Sequence, residues 1–136
     1  MKTFQYSASE GYVKFKLEGG RELINALKSG LYAKAKGVLK NHEINAYCCL
    51  GVKCHLDGLF NNGSIHYGAT VLPLSHPWNG LHGATLYFPP GFMVTVSSTT
   101  NLDTTSNLVS SIAAVNDLTE DFSMVINLLE AAWDCV

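Results

Sequence analysis

Three thiols and an imidazole crowd one string, Tyr47-Cys48-Cys49-Leu50-Gly51-Val52-Lys53-Cys54-His55. Two chemistries use such groups. Zinc takes Cys and His in pairs, C-x₂₋₄-C, with a second pair at a distance. Here Cys48 and Cys49 are adjacent, and four residues separate Cys49 from Cys54. On a helix, neighbouring side chains point about 100° apart, so these two do not share an ion easily. Small apolar core residues fit the pattern better, and no metal is expected. A nucleophilic thiol needs a base and a depressed pKa. His55, His76 and His82 are available bases, yet no catalytic signature surrounds any cysteine. G-x-S-x-G, Walker A and G-x-G-x-x-G strings are also absent. The expectation is a protein without catalysis, cofactor or metal.

Binding chemistry has more to work with. The loop Ser75-His76-Pro77-Trp78-Asn79-Gly80-Leu81-His82-Gly83 holds an aromatic, two histidines and an amide in nine residues. A Trp78 ring can stack on a base, and His76 or His82 can hydrogen-bond a base edge or a phosphate; a hairpin loop with Trp78 tucked into the core is the competing structural reading. Lys28, Lys34, Lys36, Lys40 and Lys53 surround Tyr32 and Tyr47 in the sequence. All nine Lys and Arg residues lie in the first 53 positions, against four acids, a net of +5. Residues 54–136 carry seven acids and neither Lys nor Arg, a net of −7. A one-sided basic segment attracts anions. Long nucleic acid usually needs more than a net charge of −2, so a small phosphorylated ligand is the better fit. The expected binding set is Lys28, Tyr32, Lys34, Lys36, Tyr47, Lys53, His76, Trp78 and His82. An ordinary solvated lysine face remains the alternative.

These residues must be positioned by a single domain over 1–136, long enough to bury a core without staples. Residues 4–18 read as a hairpin, with Val13, Phe15 and Leu17 alternating with charged neighbours. Residues 21–29 and 47–59 read as helices, the first stopped by Gly30. Residues 64–98 read as β structure, and the Ser/Thr/Asn/Asp-rich 99–106 as a linker. Leu108, Ile112 and Val115 form one helical stripe. Thr119 suits the N-cap of a last helix whose apolar face is Phe122, Val125, Ile126, Leu129 and Trp133. The fold class is α+β: a small mixed or antiparallel sheet packed with three to four helices.

Only 15% of residues are charged, against a typical ~25%. Uncharged surface of that extent points to self-association, most simply a dimer. No run of ~20 apolar residues exists, and Lys14 and Lys16 interrupt the N-terminus before a signal-peptide core forms. A cytosolic chain with free thiols is expected.

The order Ala26-Leu27-Lys28-Ser29-Gly30-Leu31-Tyr32, then Lys36-Gly37-Val38-Leu39, then Tyr47 to Cys54 resembles a group of small bacteriophage and prophage proteins. Their pattern runs "ALxSGxY", "GxL", "CCLGVxC" and closes with "LND…F..I..LIE". Here the close reads Ala114-Val115-Asn116-Asp117-Leu118, then Phe122, Ile126, Leu129 and Glu130. About half the chain takes part; residues 61–106 depart from the pattern. The resemblance implies a phage setting, in the cytoplasm of an infected bacterium, and a soluble α+β domain. It supplies no activity. Joined to the binding residues, it leads to a counter-defence protein that sequesters a host nucleotide signal, a cyclic oligonucleotide or cyclic ADP-ribose derivative. The alternatives are a host-takeover protein docking on a bacterial protein through an apolar surface, and an enzyme degrading such a signal.

Overall fold

The cysteine-rich string forms the central helix. In the computed structural model, which describes residues 2–63, 65, 68–70, 72, 73, 75–78, 86–100 and 103–136, α2 spans Cys49–Leu56 and buries every residue from Cys49 to Cys54. A helix apolar all round belongs inside. Cys48 caps it, its Sγ accepting the Gly51 N–H at 3.3 Å. Gly51 lies against the carbonyl of Leu39, where a Cβ would sit 1.6 Å from that oxygen. The glycine of the string thus lets backbone meet backbone, and no larger residue fits.

Around α2 the chain builds an α+β fold. Strand β1 (Lys2–Ala8) precedes β2 (Phe15–Leu17) and α1 (Gly20–Lys28). Three two-residue strands follow: β3 (Ala33–Lys34), β4 (Lys40–Asn41) and β5 (Ala46–Tyr47). After α2 come β6 (Phe92–Thr100), β7 (Asp103–Val109), α3 (Ile112–Leu118), α4 (Ser123–Ala132) and β8 (Trp133–Cys135). The sheets have strand orders β1-β6-β7, β2-β8 and β3-β5-β4. Leu23, Ile24 and Leu27 of α1, Val125, Leu128 and Leu129 of α4, and Val94 and Val96 of β6 close the core around α2. No described helix is long and apolar enough to cross a membrane.

Several expectations change. Residues 4–18 are not a hairpin. β1 pairs with β6, from Lys2↔Ser98 to Ala8↔Phe92, while β2 runs parallel to β8. The longer alternating partner at 92–100 wins the pairing, and Val13 and Phe15 stay 75% and 61% exposed. Of the expected linker 99–106, the described residues 99, 100 and 103–106 are instead paired between β6 and β7, out to Thr100↔Asp103. The β7 segment is exposed up to Leu108, so it needs no apolar alternation, and that hid it. Within 64–98 the described strand begins only at Phe92, with a single bridge Tyr87↔Ser111 before it; residues 64, 66, 67, 71, 74 and 79–85 lie outside the described ones. Leu108 belongs to β7, and α3 starts at a Ser111 N-cap. Thr119 donates back to the Val115 carbonyl at 2.8 Å, and Asp121 instead accepts the Ser123 N–H that opens α4.

One buried amide ties α3 to the start of α2 and to Ala35. Asn116 of α3 is fully buried. Its Oδ1 accepts the Cys49 N–H at 3.1 Å, and its Nδ2 donates to the Ala35 carbonyl at 3.0 Å and to Asp117 Oδ1 at 3.1 Å. Asp117 Oδ1 also takes the Gly37 N–H at 2.9 Å. The Asn-Asp pair is a clamp on the α2 start and on residues 35–37.

Gly51→Ala gains at most about 1 kcal/mol of helix propensity, whereas overpacking against a fixed backbone costs more. A net loss of about 2 kcal/mol or more is expected in urea unfolding; unchanged stability would contradict the close approach.

Candidate functional site

Lys53 and Asp57 stand one helical turn apart at the end of α2, and that spacing lets them pair. Lys53 Nζ lies 3.0 Å from Asp57 Oδ1 and 3.5 Å from Glu22 Oε1 of α1. Its side chain is only 8% exposed. It sits 5.3 Å from the Trp78 ring centre and against Gly19, where a Cβ would stand 2.5 Å from Nζ. The other oxygen of Asp57 meets His76 Nε2 at 2.8 Å. His76 Nδ1 accepts the Trp78 backbone N–H at 3.0 Å, so the ring proton resides on Nε2 and is donated to Asp57. The Trp78 indole N–H donates to the Glu18 carbonyl at 3.2 Å. Glu18, Lys53, Asp57, His76 and Trp78 line a cleft of about 320 Å³, completed by Leu59, Ser75 and Pro77; Glu22 reaches Lys53 from outside this lining. That volume stands at the lower end of the ~300–1,000 Å³ of small-molecule pockets.

A general base needs a free lone pair, and both ring nitrogens of His76 are occupied. The thiols are no better placed as nucleophiles. Burial pushes Cys48 up to about 11, against N–H contacts from Gly51 and Leu50 that pull it down. Burial also raises Cys54 to about 12, Cys49 well above its ordinary value, and the half-buried Cys135. A protonated thiol is neither nucleophile nor metal ligand. The described residues hold no cluster of three or more Cys, His, Asp or Glu suited to a metal.

The expected binding residues scatter into three places. Lys53, His76 and Trp78 meet in the cleft, but Trp78 is buried and contributes little open ring face. Tyr32 and Tyr47 meet elsewhere, edge to face at 5.5 Å, with His55 5.7 Å and 5.5 Å from them. Lys40 stands over Tyr47 at 5.0 Å and over Phe60 at 5.6 Å, so an internal cation faces these rings.

The third group of lysines reaches across to the acidic part of the chain. Lys28 pairs with Glu130 at 3.4 Å and Lys36 with Glu120 at 2.9 Å. Lys34 donates to the Asn116 and Thr119 carbonyls at the end of α3. There, burial and then Lys36 lower the Lys34 pKa. His82 lies outside the described residues. The sequence reading missed Glu18, Glu22 and Asp57. The Lys53–Asp57 spacing was the available signal for Asp57, whereas Glu18 and Glu22 reach the site only through the fold. Against family models, curated proteins and solved structures alike, the chain finds no match.

The raised thiols set a pH dependence. Below pH 9 they are protonated folded and unfolded alike, and their full contribution is present. Above it the unfolded chain ionises first, so stability falls as pH rises toward the folded values. For Cys48 the rise from 9.0 to about 11 corresponds to roughly 3 kcal/mol. Urea unfolding from pH 8 to 11 should show the decline, and a thiol reagent at pH 8 should leave Cys48, Cys49 and Cys54 unmodified in the folded chain. Ready modification of these three would contradict their burial.

Proposed function

We propose that this protein acts by capture rather than chemistry, as a phage-type counter-defence protein that sequesters a nucleotide-type immune signal of the bacterial host. The carrying observation is the cleft, where a buried cation, a shared carboxylate and an oriented histidine converge on a ligand-sized space. The phage setting rests on the resemblance of residues 26–32, 36–39, 47–54 and 114–130 to small phage proteins. Of the four lysines expected to bind, Lys53 lines the cleft, while Lys28 and Lys36 form exposed pairs with Glu130 and Glu120 and Lys34 meets the end of α3. At about 320 Å³ the cleft suits one nucleoside unit of a larger signal, and a second copy of the chain would enclose the rest. Degradation of the signal has less support, since His76 and the thiols are not free to act.

A docking role toward a host protein is the second reading. Tyr87, Met93 and Leu108 are exposed large apolar residues on one groove of about 280 Å³ beside Pro89-Pro90-Gly91. The two readings separate in one experiment. Purified protein is incubated with a panel of cyclic oligonucleotides and cyclic ADP-ribose derivatives, stripped of unbound material, heat-denatured and chromatographed. Capture predicts release of one signal intact. An altered product would make the protein an enzyme, and retention of nothing would favour the docking role.

A further inference from the structure

The two carboxylates on Lys53 are not equivalent. Asp57 is fixed at both oxygens, Oδ1 by Lys53 at 3.0 Å and Oδ2 by His76 at 2.8 Å. His76 is itself fixed by the Trp78 backbone. Glu22 is different. It reaches across from the first turn of α1, its side chain is 58% exposed, and its contact with Lys53 is the longer at 3.5 Å. No other ion pair or hydrogen bond of its side chain is seen among the described residues. A water-exposed carboxylate is paired with a buried ammonium that also faces the cleft, so an external anion there competes with Glu22 for the same charge.

We propose that Lys53 is an anion subsite of the cleft and that Glu22 is the internal counter-ion an incoming phosphoryl group displaces. The inference rests on the capture reading and deepens it by assigning the phosphate end of the ligand. The exchange costs little in the protein. Asp57 and His76 stay in place, and Glu22 swings into water while the incoming anion takes over the buried ammonium, so that the charge is not left unpaired. The Lys53 ammonium gains a charge-assisted contact with a doubly charged group. Gly19 keeps the space beside the ammonium clear of a side chain. Glu22 and Asp57 both pair with Lys53 and Glu18 also lines the cleft, so the local balance is acidic. Anions therefore bind wild type weakly, and neutralising Glu22 strengthens them.

The test is calorimetry at low salt with inorganic phosphate, adenosine 5′-monophosphate and adenosine, on wild type and Glu22→Gln. The substitution changes an exposed side chain, so the fold survives it. Phosphate and the monophosphate should bind the variant about two- to five-fold more tightly, the equivalent of an exposed ion pair, and added salt should weaken both. Adenosine should be indifferent to the change. Lys53→Met should abolish the phosphate-dependent part. If adenosine and its monophosphate bind equally to both proteins, the subsite is overturned while nucleotide capture stands. If inorganic phosphate responds to Glu22→Gln but no nucleotide binds, the subsite stands and nucleotide capture falls. If nothing binds either protein, both are overturned.

Discussion

Everything in this fold turns on a carboxamide with no access to water. Asn116 is fully buried, so each of its polar atoms must find a partner inside. It finds them in different parts of the chain: the α2 start at Cys49, the loop at Ala35, and its own neighbour Asp117. A buried donor or acceptor left unpaired costs about 1–3 kcal/mol, more than the bond itself contributes net. The constraint therefore works mainly by excluding alternatives. Any packing that slides α3 away from α2 strands the Cys49 N–H, the Ala35 carbonyl and the amide together.

The electrostatics follow from that clamp. With α3 held against residues 35–37, Lys34 lies at the carbonyl end of α3, where a cation suits the helix dipole. Lys36 reaches Glu120, and Lys28 reaches Glu130 on α4. Part of the basic segment is thus paired with the acidic part of the chain, through Lys28, Lys34 and Lys36. The same clamp fixes the first turn of α2, and one face of that helix carries Lys53 and Asp57 to the cleft. α2 and its C-cap supply Lys53 and Asp57 to the cleft, while Glu18, Leu59 and residues 75–78 line it from outside the helices.

The helices were legible because their signals are local. Gly30 after α1, the apolar density of the cysteine string, and the spacing of Val125 and Leu129 are local marks of a helix; Trp133, expected on the same helical face, instead opens β8. Strand pairing was not legible, because it is decided by competition at a distance. Val13, Phe15 and Leu17 alternate properly, yet β1 takes β6 and leaves Val13 and Phe15 in water. The β6–β7 pairing escaped notice because exposed Ser and Thr carry no burial pattern. At the site, Lys53, His76 and Trp78 were visible as residue types, and Asp57 was visible only as an i+4 acid. The employment of Lys28, Lys34 and Lys36 was invisible, because Glu130, Asn116 and Glu120 are more than eighty residues away. The short cysteine string could be recognised without its reason; that reason is the Gly51 contact with Leu39.

Asn116→Leu tests the clamp most directly, since it keeps the volume and removes every polar contact of the side chain. Equilibrium urea unfolding at pH 7 should show a loss of roughly 2–4 kcal/mol, the cost of orphaning the Cys49 N–H and the Ala35 carbonyl together. Amide hydrogen exchange in the same variant should show lost protection at the first turn of α2 and over residues 33–37, with α1 and α4 less affected. A loss under about 0.5 kcal/mol, the size of an ordinary surface change, would contradict the account. So would exchange that accelerates evenly over the whole chain.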